Sequence, residues 1–179
     1  MSTPDAGSIE LSSRTGRIVL TTVVLGSAVA MLTATVVNVA LPTLASDLGA
    51  NSSEQKWIIN AYTLTLAALI LIGGSLGDRW GRVRVYRIGV AWFARASALC
   101  ALSWDSTSLI AFRLLQGVGG ALLTPGSLAI IQATLRPADR GRGVGLWSGI
   151  GGVAGAIGPL LGGLLVEASW RWVFVVNLP

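Results

Sequence analysis

Inside an otherwise apolar stretch stands Arg113, followed three residues later by Gln116. A guanidinium in such surroundings costs about 2.5–3.5 kcal/mol on membrane-insertion scales. At helical spacing Gly117, Gly120 and Thr124 share its face. That stripe is small and polar, which suits a partner helix or a water-filled cavity rather than lipid. A buried cation of this kind fits a pathway for ions or polar solutes; the plainer alternative is an arginine near a helix end that snorkels outward. A second constellation is Gly74-Ser75-Leu76-Gly77-Asp78-Arg79-Trp80-Gly81-Arg82. Its glycines permit a sharp turn between two packed helices. Asp78 is expected near the start of the following helix, where the dipole favours a carboxylate and the arginines can pair with it. A plain basic loop is the simpler reading of any arginine-rich segment. The third constellation is a glycine-rich helix with two small stripes, Gly145, Gly149, Gly152, Ala156 and Gly163 on one side and Gly151, Gly155, Gly158 and Gly162 on another. Glycine costs about 1 kcal/mol in a helix interior, so this many points to close backbone approach on two faces. Pro159 removes a backbone donor and is expected to kink that helix.

Several chemistries have no residues to carry them. The chain lacks histidine and has one cysteine, Cys100, so neither an internal disulfide nor a zinc cluster can form from this sequence. Cys100 sits in an apolar run and reads as a buried structural thiol. No nucleophile–base pair is apparent, and no enzyme, metal or cofactor is expected. The net charge is +5, from twelve arginines and Lys56 against eight acids. A nucleic-acid surface would gather that charge into a patch with aromatics; here the arginines cluster between apolar runs, so no nucleic-acid partner is expected.

These residues must be positioned by membrane helices. Hydrophobic residues make up 53% of the chain and charged residues 12%, against about 25% charged in a soluble domain, and the mean hydropathy is +0.70. Five apolar runs near 18–41, 57–77, 85–103, 107–132 and 144–166 each have the length of a spanning helix. Barrel strands would be about 10 residues with period-two alternation, and these runs show neither feature. Polar breaks are expected at 46–53, 78–87, 103–106 and 136–142. With the 1–17 tail in the cytoplasm, Arg14, Arg17, Arg79, Arg82, Arg84, Arg87, Arg136, Arg140 and Arg142 all fall inside, and Lys56 and Arg171 outside. The positive-inside rule thus sets the N-terminus in the cytoplasm. Arg95 lies in the middle of span three, and the sequence offers no account of it. A sixth apolar run begins near 172, so the fold expected is an all-α polytopic membrane protein with an incomplete helical bundle, a fragment or a truncated chain.

The segment G-x-L-x-D-R-x-G-R over Gly74–Arg82 resembles the signature loop of the major facilitator superfamily at its defining positions. Three further segments are similar to the fourteen-helix drug:proton antiporter branch of that superfamily. They are Thr35-Val36-Val37-Asn38-Val39-Ala40-Leu41-Pro42 in span one, Arg113-Leu114-Leu115-Gln116-Gly117 in span four, and Gly158-Pro159-Leu160-Leu161-Gly162-Gly163 in span five. Trp170–Pro179 resembles the family's lead into helix six. Ala154 stands where the family pattern often has glycine, and Thr33 where many members of the branch have aspartate.

The resemblance implies the N-terminal segment of a proton-coupled exporter of small hydrophobic or drug-like compounds, working by alternating access in the inner membrane of a bacterial cell. Its partners would be the bilayer, a small-molecule substrate, protons and the remaining C-terminal helices. Arg113, Gln116, Asn38 and Thr33 would face the pathway. Gly74, Gly77, Asp78, Arg79, Gly81 and Arg82 would form the cytoplasmic gating loop, and Gly145, Gly158, Pro159, Gly162 and Gly163 the antiporter helix at the interface between halves. No acid lies inside any of the five runs, so a proton-carrying carboxylate would have to come from elsewhere; the same lack disfavours polycationic substrates. The alternative is a non-transporting sensor or assembly subunit on a transporter scaffold.

Overall fold

The computed structural model describes residues 9–178. Residues 1–8 of the expected tail, and Pro179 at the end of the helix-six motif, lie outside them. The described chain is almost wholly helical: α1 spans Arg14–Leu48, α2 Ser52–Trp80, α3 Arg82–Ala101, α4 Ser106–Thr134, α5 Pro137–Ala168 and the short α6 Trp172–Val175. The five expected runs fall along α1 to α5. Four of these helices, α1, α2, α4 and α5, are long and apolar enough to cross a membrane. The 20-residue α3 stands apart because Arg82, Arg84, Arg87 and Arg95 dilute its apolar character.

The polar breaks are shorter than expected, and this relocates Asp78. Only Gly81 separates α2 from α3. Its φ of 92° lies where a Cβ is unfavourable, so glycine carries the whole reversal. Asp78 is therefore in the last turn of α2, not near the start of α3. There the helix dipole opposes a carboxylate, and the charge is met instead by Arg82. The expected loop over 136–142 is likewise mostly helix: α5 begins at Pro137, with Asp139 in its first turn. Proline suits the first helical position because its missing N–H would have no partner there. The turn at 103–106 holds as expected. The Asp105 carboxylate caps α4, accepting from the Ser108 N–H at 2.7 Å, and this bond holds its carboxyl below the usual range.

Packing follows the small residues. α4 lies against α2 and α3, while α1 pairs with α5. The α2–α4 contact closes at Gly73, which abuts the Ala121 carbonyl, and at Gly117, which abuts the Tyr62 carbonyl. The two stripes of α5 have different fates. Gly151, Gly158 and Gly162 lie on Met31, Thr35 and Val36 of α1, whereas a Cβ at Gly145, Gly149, Gly152 or Gly163 would find no atom within 4 Å. One stripe is thus partnered within the described residues at three of its four glycines, Gly155 being open as well, and the glycines of the other are all open. α5 stays helical through Pro159. Two apolar clusters fill the bundle. One, including Leu20, Tyr86, Phe93 and Ile131, lies toward the arginine-rich end. The other gathers Leu44, Ile58, Leu109, Trp170 and Phe174 around the buried Cys100.

Each end of the bundle is also tied by polar groups. At the arginine-rich end residues 9–13 lie along the α4–α5 corner. The Ile9 N–H donates to the Thr134 carbonyl at 2.8 Å and the Arg136 N–H to the Ile9 carbonyl at 3.2 Å. The Leu11 N–H donates to Asp139 at 3.0 Å, and Arg136 pairs with both Glu10 and Asp139. At the opposite end the Trp170 indole donates to Asp47 at 2.9 Å, and Arg171 stacks over Trp170 and donates to the Ser103 carbonyl.

Two expectations follow. Gly158→Ala forces Thr35 aside and lowers the thermal unfolding temperature in detergent, while Gly145→Ala leaves it unchanged or raises it, stabilising by up to about 1 kcal/mol from helix propensity. The Leu11 N–H, then Arg136, depress the Asp139 pKa. The contribution of the strap formed by residues 9–13 is therefore present above the ordinary carboxylate range and is lost as pH falls through the depressed value. Hydrogen exchange at the Leu11 amide should be slow at neutral pH and fast in Asp139→Asn; equal exchange in both would remove the strap.

Candidate functional site

Arg113 is presented by α4 at a level where α2 and α3 flank it. Its side chain is 1% exposed, and Gln116 and Ser97 beside it are fully buried. The helix face predicted to be small and polar is turned toward α2: Gly117 meets Tyr62 and Thr65, and Gly120 meets Leu66 and the Tyr62 ring. Of the two environments open to that stripe, a partner helix is the one found. The guanidinium is enclosed, which rules out snorkelling.

Three neutral groups hold the cation. Its Nε donates to the Ile58 carbonyl on α2 at 3.1 Å, and Nη1 donates to Gln116 Oε1 at 2.7 Å. The Tyr62 ring lies beneath it, 4.6 Å from Cζ to centroid. Gln116 Nε2 in turn donates to Ser97 Oγ on α3 at 2.7 Å. Tyr62 O–H donates across to the Ala30 carbonyl of α1 at 3.2 Å, and its ring meets Phe93 of α3 edge-on. One continuous polar thread thus runs Ala30–Tyr62–Arg113–Gln116–Ser97 through four helices. Ile58 has a free carbonyl lone pair for Arg113 because a backbone oxygen has two acceptor sites, one already used within α2. No carboxylate pairs with Arg113 among the described residues. A buried charge without a counter-ion is held by hydrogen bonds and a π face, each strengthened where water is excluded.

The remaining expected residues are not in this cluster. Thr33 is buried on α1, with its Oγ1 2.8 Å from the Val29 carbonyl and 2.9 Å from the Asn177 side-chain amide. One hydroxyl proton serves only one of these. Turning the Asn177 amide so that its NH2 donates to Thr33, while Thr33 donates to Val29, satisfies both contacts. Asn38 is exposed and donates back to Ala34 of its own helix at 2.9 Å. The Arg113–Gln116 pair is therefore brought together, but Thr33 and Asn38 are separate from it and from each other.

At the arginine-rich end Asp78 accepts from Arg82 at 3.1 Å, and Arg82 also donates to the Ala129 carbonyl of α4 at 3.3 Å. Gly77 lies under the Arg82 stem, and Gly74 under Pro125. Arg79 is exposed. The loop thus clasps α2 to α4 through one arginine. Arg95 is exposed on α3, and nothing in the structure explains it.

Tyr62, Ser97, Ile58 and Asn177 escaped the sequence reading. Ser97 sits in an alanine-rich run and Tyr62 in an apolar one, so neither has a local signal; their roles depend on which helices meet. The faint clue is that a tyrosine in an apolar span needs a partner for its hydroxyl.

The described residues form a multi-helix bundle of membrane-spanning character with a clasped α2–α3 loop, a buried arginine and glycine-lined helix contacts. The sequence model of the Major Facilitator Superfamily matches residues 23–179, and the chain belongs to that superfamily. It is 43% identical over 178 residues to the methylenomycin A resistance protein of Bacillus subtilis, covering 98% of this chain and 38% of that protein. It is 39% identical over 161 residues to the tetracenomycin C resistance and export protein of Streptomyces glaucescens, covering 89% and 30%. The fold matches the crystal structure of a bacterial homolog of the human lysosomal transporter Spinster, inward-facing and occupied, with a TM-score of 0.79 at 23% identity. That match covers 93% of this chain and 42% of the other. The chain spans well under half the length of these relatives.

The thread separates the two duties of Tyr62. Tyr62→Phe keeps the ring under Arg113 and loses one hydrogen bond, for a cost of about 1 kcal/mol. Tyr62→Ala also loses the π face and leaves a cavity, for a cost of about 3–5 kcal/mol. Thermal unfolding of the chain in detergent measures both, and equal losses would deny the ring its role against Arg113.

Proposed function

We propose that this chain is the N-terminal part of a proton-driven exporter of small, mostly apolar compounds, working by alternating access in a bacterial inner membrane with its N-terminus in the cytoplasm. The observation that carries this reading is the enclosed Arg113–Gln116 pair, in a chain 43% identical to a resistance protein and 39% identical to a resistance and export protein. A fixed cation inside an apolar bundle is a means of coupling charge movement to helix movement. The close glycine contacts between α1 and α5 and between α2 and α4 would let these helices move together, as rocking of one bundle against another requires. The Asp78–Arg82–Ala129 clasp would hold the cytoplasmic end of that unit in one state. The open glycine stripe of α5 with Pro159 would face the helices of the second half. Orientation rests on the arginines gathered at one end.

No acid lies inside the described helices near Arg113, and Thr33 is committed to Val29 and Asn177. The proton-carrying carboxylate therefore belongs to the rest of the transporter. The second reading, a non-transporting sensor or assembly subunit, draws on the same lack of an acid.

Export of a fluorescent dye from everted vesicles holding the whole transporter decides between them. Pumping driven by a pH gradient supports transport, and Arg113→Ala should abolish it while Arg113→Lys retains a part, since lysine keeps the charge but not the forked geometry. Full pumping by Arg113→Ala would remove Arg113 from coupling. Absence of pumping in the unaltered protein with every dye class would favour the sensor.

A further inference from the structure

We propose that Ser97 is a positioning residue for Arg113, acting through the Gln116 side chain. The inference rests on the reading of Arg113 as the coupling cation, and it adds a residue on a third helix whose hydroxyl decides how that cation is held. A glutamine amide has one accepting end and one donating end. The accepting end of Gln116 takes the Arg113 Nη1–H at 2.7 Å. The donating end must then point away from the guanidinium, and 2.7 Å from it stands Ser97 Oγ. All three side chains are enclosed, so water is a poor substitute for any partner.

The consequence is an orientation lock. With Ser97 removed, one orientation of the amide leaves its NH2 unpaired in a buried site, and the flipped one sets NH2 against the guanidinium, donor facing donor. The flipped orientation loses the Arg113 Nη1 bond while Ile58 still holds Nε, and the unflipped one keeps that bond only at the cost of a buried unpaired NH2, so nothing fixes the amide any longer. Ser97 thus selects the amide orientation, and Gln116 passes that selection to Arg113. The neighbours of Ser97 in α3, Ala94, Ala96, Ala98 and Leu99, leave this hydroxyl as the local acceptor.

The lock predicts that Ser97 matters most while residue 116 has an NH2 to place. Glutamate there has no NH2 to place; both its oxygens accept, from Arg113 and from the Ser97 hydroxyl alike, so its orientation no longer depends on residue 97. In vesicles holding the whole transporter, Ser97→Ala should slow pH-driven dye export about tenfold, in line with one buried unsatisfied donor. The dye concentration at half-maximal rate should stay unchanged, and Ser97→Thr should restore the rate. In the Gln116→Glu background, Ser97→Ala should cause a clearly smaller further loss, because a carboxylate missing one donor still holds Arg113 in either orientation. An equal loss in both backgrounds, or no rescue by threonine together with a raised half-saturation concentration, overturns the lock and makes Ser97 a packing residue. If Arg113→Ala exports normally, the coupling reading fails instead; the same cycle of Ser97→Ala with and without Gln116→Glu, read by thermal unfolding of the 179-residue chain in detergent, then tests the lock alone. Should Ser97→Ala fail to accumulate, accumulation of the double variant supports the lock and its failure refutes it.

Discussion

A guanidinium enclosed among helices, with no carboxylate to neutralise it, constrains everything around it. Its charge can be kept only if its donors meet well-placed acceptors and its plane meets an electron-rich face. The acceptors come from α2 and α4 and the face from α2, while α3 orients the glutamine that supplies one of them. Three helices must therefore meet at one height and in one rotational setting. The fourth, α1, enters because the tyrosine that supplies the face needs a partner for its own hydroxyl and finds it at Ala30. The position of each helix is thus answerable to one cation.

Such a convergence demands short distances between helix axes, and glycine is what permits them. Gly117 lies one turn beyond Arg113 and against the backbone of Tyr62, so the residue that gives Arg113 its π face is brought near by the residue that leaves room for it. The α1–α5 pair uses the same device at Gly158 and Gly162. In lipid, where tails are as apolar as side chains, close packing and interhelical hydrogen bonds supply the association that the hydrophobic effect supplies in water. The bundle is then tied at both ends, by residues 9–13 and Arg136 at one and by Asp47, Trp170, Arg171 and Ser103 at the other. These ties use exposed or partly exposed groups, where ion pairs are individually weak; backbone pairing and the burial of Leu11 and Trp170 give them substance.

The open face of α5 marks the limit of self-sufficiency in the described bundle. A helix with open space at glycines such as Gly145, Gly149 and Gly152 and with exposed large apolar side chains such as Leu146, Ile150 and Val153 has low helix propensity with no packing to offset it on that side. In the superfamily to which the chain belongs, relatives are more than twice its length. The asymmetry between the packed and open stripes fits a helix that serves two neighbours.

The sequence alone determined that the chain is an all-helical membrane protein, because apolar runs about 20 residues long without period-two alternation fit helices and not barrel strands in lipid. It also determined the superfamily, through ordered motifs, and singled out Arg113 with Gln116, whose three-residue spacing on one helix settles their contact locally. What it misplaced was short-range detail. Asp78 reads as the start of a helix until Gly81, with its positive φ, is seen to complete the turn by itself. What it could not decide was partnership. Whether the stripe beside Arg113 met water or a helix, which stripe of α5 was covered, and that Ser97 and Tyr62 serve Arg113 while Thr33 and Asn38 do not contact it, all depend on how helices rotate and cross. Periodicity places a residue on a face of its own helix; only the packing of several helices decides what that face meets.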